Sequence, residues 1–221
     1  MKKQLSLTAL LLTVLFSNNI YPQWSVDPTL NNPICTHAGT QDRPAITGDG
    51  SGGAIITWED NRNGNFDIYA QKINSNAEDQ WATDGLAICT QGSAQNYPSI
   101  TSDGSGGAII TWADGRNGKQ DIYAQRIDPS GAALWTTNGL AVCTSSDYRY
   151  YPTITSDGSG GAIITWSSWS GTSNDIYTQK INASGVVQWT ADGVAVCSQG
   201  SGQSNPTITS DGSNGGYYNL V

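Results

Sequence analysis

The chain has 221 residues, 26 of them glycine, with 13% charged and 37% hydrophobic residues and a formal net charge of −8. So few charges beside so much apolar side chain exclude a disordered polymer and call for a packed, turn-rich fold. An acidic surface repels phosphate backbones and anionic membranes, which excludes nucleic acid as a partner.

Residues 1–22 read as a signal peptide, because Met1-Lys2-Lys3 precede an apolar run over 5–16 and then polar Ser17-Asn18-Asn19. That run is too short to span a bilayer. The sequence therefore predicts export to the cell surface or beyond, with no membrane insertion once the signal is removed.

A 54-residue unit follows. Shifted by that length, the chain keeps register without a gap over 35–213: Pro44, Pro98, Pro152 and Pro206 align, as do Trp58, Trp112 and Trp166. Repeats of this length mean arrays, solenoids or propellers. Residues 23–43 are expected to be a partial blade holding a last strand and its linker. Complete blades are expected over 44–97, 98–151 and 152–205, and a truncated fourth over 206–221. On this reading the chain is a piece of a longer array.

Within the second unit the predicted strands are 98–102, 107–112, 121–127 and 133–143, the last broken at Asn138-Gly139. Asp103-Gly104-Ser105-Gly106-Gly107 supplies the positive φ angles of a tight hairpin. Ala108-Ile109-Ile110-Thr111-Trp112 is apolar on both sides of the pleat, so the sheet must be covered on both faces. No stretch after the signal segment has a sustained helical period. Four-stranded antiparallel sheets sandwiched between copies of themselves form a β-propeller-like array, here an incomplete propeller; an extended β-solenoid is the alternative.

The string Pro-x-Ile-Thr-Ser-Asp-Gly-Ser-Gly-Gly-Ala-Ile-Ile-Thr-Trp, then Asp-Ile-Tyr-x-Gln-x-Ile and Trp-x-x-x-Gly-x-Ala-x-Cys, resembles the β-propeller-type repeats of bacterial exported and cell-surface proteins. The resemblance implies the fold and the export, and leaves the role open. The Asp-Gly-Ser-Gly-Gly turn also resembles the Asp-box of sialidase-like propellers, but its spacing to tryptophan is longer and none of that chemistry is carried over.

Cys35, Cys89, Cys143 and Cys197 recur at the repeat spacing. Equivalent positions of adjacent units are set apart by the repeat, beyond a disulfide's reach, so buried free thiols are favoured over disulfides. His37 stands without grouped partners and reads as structural or solvated. Glu59 and Glu78 lie in the first unit, whereas most aspartates recur with the repeat as scaffold does. With no catalytic constellation visible, the sequence predicts that the chain is not an enzyme.

No cofactor is expected. Calcium is the weak inorganic candidate, through Asp60, Asp67, Asp114 and Asp121. An arginine inside each of these loops favours instead an Asp60–Arg62 and an Asp114–Arg116 pair. The third unit supports this, because Ser168 and Ser170 replace both charges together.

Hairpins between first and second strands are uniform, while the linkers between units and the turns between second and third strands diverge. These two divergent loop sets emerge on one face. They carry a candidate binding rim of Arg62, Tyr97, Arg116, Tyr148, Arg149, Tyr150, Tyr151 and Trp169. The expected role is a non-catalytic binding or surface-interaction module for an extracellular protein or glycan. The alternatives are a fragment of a carbohydrate-active propeller enzyme with catalytic residues elsewhere, and an architectural spacer.

Overall fold

The computed structural model describes residues 31–198, 200 and 202–219, and the predicted signal peptide lies outside them. Strand follows strand throughout, and no helix occurs among the described residues. The first sheet holds β1 (Gln41–Gly48), β2 (Ala54–Asp60), β3 (Asp67–Ile73) and β4 (Leu86–Cys89). The second holds β5 (Gln95–Ser102), β6 (Ala108–Asp114), β7 (Asp121–Ile127) and β8 (Leu140–Cys143). The third holds β9 (Tyr148–Ser156), β10 (Ala162–Trp169), β11 (Asn174–Ile181) and β12 (Val194–Cys197). Each is a four-stranded antiparallel sheet with strands in chain order, and β13 (Thr207–Ser210) with β14 (Gly216–Asn219) makes a two-stranded one.

First strands sit side by side, β1 against β5, β5 against β9 and β9 against β13, so the sheets are arranged as propeller blades. The core lies between blades rather than within them. Ile55, Ile68 and Cys89 of the first blade cluster with Ile110, Trp112 and Ile127 of the second. On the far face of that second sheet, Ile109, Ile122 and Cys143 cluster with Ile164, Trp166 and Ile181 of the third. This explains why Ile109 and Ile110 are both fully buried although they point to opposite faces. All four cysteines are free thiols, and burial pushes the Cys89 thiol up to about 12.

Strand limits differ from the prediction in two respects. First strands of the three four-stranded sheets begin before the repeated proline, because pairing runs on across a bulge: Asn96 faces Ala113 and Ser99 faces Thr111. Proline has no N–H for the ladder, and the bulge removes that requirement. Fourth strands are far shorter than predicted, with Ala133 making only an isolated bridge to Ile127. Asn138 and Gly139 turn the chain at φ 63° and 86°, and Gly139 lies so close to the indole of Trp112 that a Cβ would sit 2.5 Å from the ring.

At the N-terminal end, residues 23–30 of the expected partial blade lie outside the described residues. Residues 31–40 form no strand, because the strand pattern gives a fourth strand only a third strand of its own unit to pair with. Ile34 and Cys35 still pack on Trp58 and Tyr69, against the outer face of the first blade. Beyond Pro206 the repeat does not break at Asn214. Asp211 N–H donates to Gly215 O at 3.2 Å, and Asn214 takes the positive φ (67°) that Gly106 takes in the second unit (84°).

In the first of these hairpins Asp49 Oδ1 accepts from the N–H groups of Ser51 and Gly53, each at 2.8 Å. The Ser51 hydroxyl bond is the largest cause holding the Asp49 carboxyl down at about 2; burial opposes it, and the two N–H groups and Lys72 add to it. A carboxylate lowered on folding stabilises the fold above its unfolded range of about pH 4, and that contribution disappears as pH falls toward 2. Asp49→Asn should therefore flatten the stability profile within that window, as read from urea unfolding at stepped pH. Equal acid sensitivity in variant and parent would refute this assignment.

Candidate functional site

Linkers and second-to-third-strand turns do share a face. Gln95 N–H donates to Phe66 O at 2.7 Å, and the Asn65 amide donates to Gln91 O and Ser93 O, locking each linker over the turn of the preceding blade. Tyr97, Tyr148, Tyr150, Tyr151 and Trp169 come together here. Tyr97 and Tyr151 meet edge to face at 4.6 Å, Tyr151 and Tyr150 lie 6.2 Å apart, and Tyr150 is parallel to Tyr148 at 6.3 Å. Arg43 caps one end of this arc, 4.4 Å over Tyr97, and Lys119 the other, 5.7 Å from Tyr148. Burial raises the Tyr97 hydroxyl, with Tyr151 adding to it, and burial likewise raises that of Tyr150. Both remain neutral donors near pH 7.

The positions that begin the arc share one backbone feature. Arg43, Tyr97 and Tyr151 occupy the bulge before the repeated proline, and Asn205 the equivalent position before Pro206, all at positive φ between 48° and 58°. Asparagine tolerates that region, whereas a tyrosine there is strained. The arc borders a concavity of about 380 Å³ lined by Tyr97, Tyr150, Tyr151, Ser167, Trp169, Asn174 and Ser204.

Two residues that sequence reasoning left out of the rim join it. Glu59, fully buried, accepts from Arg43 Nη1 at 3.0 and 2.9 Å and from Tyr97 N–H at 2.5 Å. The signal that could have found them is departure from the repeat: Glu59 stands where Ala113 and Ser167 stand, and Arg43 where Tyr97 and Tyr151 stand. Glu78 does not join them; it bonds Asn74 in an exposed turn.

Three predicted rim residues are drawn elsewhere, each into an ion pair. Arg62 bonds Asp60 at 2.6 Å, lies 4.0 Å over the ring of Tyr69, and donates to Cys35 Sγ and Asp84 O. Arg116 repeats this arrangement with Asp114, Tyr123, Cys89 and Asn138 O. Arg149 is buried and pairs with Asp121 of the preceding blade at 3.0 Å. A guanidinium with several donors is drawn to where carboxylate and carbonyl oxygens converge; Arg62 and Arg116 find them in their own blade, and Arg149 reaches the carboxylate of the preceding one.

The calcium candidates are engaged the same way. Asp60 and Asp114 accept from Trp58 Nε1 and Trp112 Nε1 as well as from the arginines, while Asp67 and Asp121 accept from Asn63 and Asn117. Burial tends to raise the Asp60 carboxyl, but the Arg62 and Trp58 bonds outweigh it and the net shift is downward. No cluster of three or more metal-ligating side chains occurs among the described residues. His37 is exposed, with its ring Nδ1 2.8 Å from Ala38 O.

No family model and no curated protein matches the chain. Solved structures do. An endo-arabinase from Bacteroides thetaiotaomicron VPI-5482 matches with a TM-score of 0.55 at 16% identity, over 82% of this chain and 71% of that one. An N-acetylgalactosamine deacetylase from F. plautii, in complex with blood group B trisaccharide, matches at 0.51 and 7% identity, over 86% of this chain. The present chain spans 63% of that deacetylase. An endo-1,4-beta-xylanase from Bacteroides thetaiotaomicron VPI-5482 matches at 0.50 and 8%, over 85% of this chain and 67% of that one.

At these identities the likeness is one of fold, and the class it defines is the all-β propeller. It also corrects one expectation. The prediction that the chain is not an enzyme is overturned, since these similar structures are enzymes. That prediction treated carboxylates as recurring scaffold, and Glu59, which does not recur, stands beside the arc.

Proposed function

We propose that this chain belongs to a carbohydrate-active propeller enzyme and grips its glycan along the tyrosine arc. The observation that carries the reading is the arc itself: Tyr97, Tyr150, Tyr151 and Trp169 around one concavity, with Tyr148 stacked beyond Tyr150 and the Arg43–Glu59 pair behind. Rings offer an apolar face to sugar C–H groups and neutral hydroxyl donors at their edges. The similar endo-arabinase, endo-1,4-beta-xylanase and N-acetylgalactosamine deacetylase support this reading, as does the apolar segment 5–16, which would bring the chain to extracellular glycans.

Calorimetric titration with arabino- and xylo-oligosaccharides, and mass spectrometry of any products, test it. At least one glycan should bind, and Tyr97→Ala should weaken that binding about tenfold or more. Arg62→Ala should lower the melting temperature and leave affinity unchanged. Failure of every glycan to bind, or an equal loss from both variants, would refute the proposal.

A further inference from the structure

Trp169 ends β10 with its indole partly exposed, and it lines two concavities at once. On its inner side is the 380 Å³ concavity of the arc; on its outer side is one of about 160 Å³ between Lys119, Ser146, Asp147, Tyr148 and Ser170. Parallel Tyr148 and Tyr150 run alongside, one lining each side.

A single hydroxyl distinguishes the inner side. Ser167 is 2% exposed, lines the concavity, and its Oγ has no hydrogen-bond partner among the described residues. Buried hydroxyls are ordinarily satisfied, so an unpartnered one on a residue that lines a concavity points to a ligand group. The equivalent positions are closed: Glu59 is ion-paired to Arg43, and Ala113 has no polar atom.

Charge then narrows the ligand. Among the described residues, no charged side chain lines the inner concavity. On the outer side Lys119 donates to Ser146 O, and Asp147 stands beside it with the opposite sign. The chain as a whole carries −8. The inner concavity therefore offers nothing to compensate a carboxylate or sulfate on a sugar, and in the outer one Asp147 sets a negative charge beside Lys119.

We infer that the concavities flanking Trp169 are adjacent subsites for consecutive units of a neutral oligosaccharide, with Ser167 bonding a sugar hydroxyl at the inner one. This inference rests on the carbohydrate reading above and adds the ligand's length, charge and one selecting residue.

The test is affinity against chain length. Linear arabino- and xylo-oligosaccharides of one to four units, with oligogalacturonides as the charged counterpart, are titrated into the parent chain, Trp169→Ala, Ser167→Ala and Tyr97→Ala. Affinity for one neutral series should rise at least tenfold between one unit and three, and oligogalacturonides should bind at least tenfold more weakly. Trp169→Ala should abolish the rise with length. Ser167→Ala should weaken every length by about fivefold, the worth of one neutral hydrogen bond, without lowering the melting temperature.

Length-independent affinity that Tyr97→Ala still abolishes would overturn the subsites and leave the carbohydrate reading standing. So would a rise with length that survives Trp169→Ala, tighter binding of the galacturonides, or an unaltered Ser167→Ala. No binding by any oligosaccharide would overturn both.

Discussion

Asp114→Ala should lower the unfolding free energy by about 3–5 kcal/mol, the range for removing one partner of a buried ion pair. The carboxylate is fully buried and accepts from Trp112 Nε1 at 2.8 Å and from Arg116 Nε and Nη2 at 2.9 and 2.6 Å. Without it, the indole N–H has lost its acceptor and the guanidinium is left against Tyr123 and Cys89 with its charge uncompensated. Because the two side chains act as one unit, Asp114→Ala with Arg116→Ala should cost less than the sum of the single changes.

The third blade provides the reciprocal experiment. Ser168 and Ser170 stand where the pair would be, and Trp166 Nε1 is buried without a partner among the described residues. Introducing Ser168→Asp and Ser170→Arg together should raise stability by about 1–3 kcal/mol, the cost of an unsatisfied buried donor. Ser168→Asp alone should not, since the new carboxylate would lack its arginine and face Asp147, which Ser168 now bonds at 3.4 Å. Urea unfolding with unchanged slope measures both. A loss below about 1 kcal/mol for Asp114→Ala would mean that the pair behaves as a solvated surface turn.

Tyr151→Asn should separate binding from folding. Asn205 holds the equivalent position before its proline at φ 50°, and Tyr151 is at 53°. Placing asparagine there relieves backbone strain of about 1–3 kcal/mol, offset by loss of the edge-to-face contact with Tyr97, about 0.5–1.5 kcal/mol. Stability should therefore change little or rise, while glycan affinity falls tenfold or more because a central ring of the arc is gone. Melting temperature and calorimetric affinity of the same variant decide it. A large loss of stability at unchanged affinity would make the tyrosine a scaffold residue.

The Asp60–Arg62 and Asp114–Arg116 pairs were legible in the sequence because they span only two residues of one turn, and because both charges vanish together in the third unit. Their consequence was not legible. Read as rim residues, Arg62 and Arg116 turn out to reach the cysteine of the adjoining unit, a contact that exists only when one blade is laid on another.

By itself the sequence determined the all-β propeller-like class, the antiparallel blades in chain order, the free thiols and the face on which the variable loops emerge. Those follow from local rules: alternation along a strand, glycine in a hairpin, and identical spacing that sets identical residues at identical places. Only the tertiary structure decided which side chains meet at the arc. Glu59 reaches Arg43 and Tyr97 across sequence separations of 16 and 38 residues, through a bulge that re-aims the first strand. Such contacts depend on how one sheet is rotated against the next, and that rotation is set by inter-blade packing that no spacing within a unit encodes.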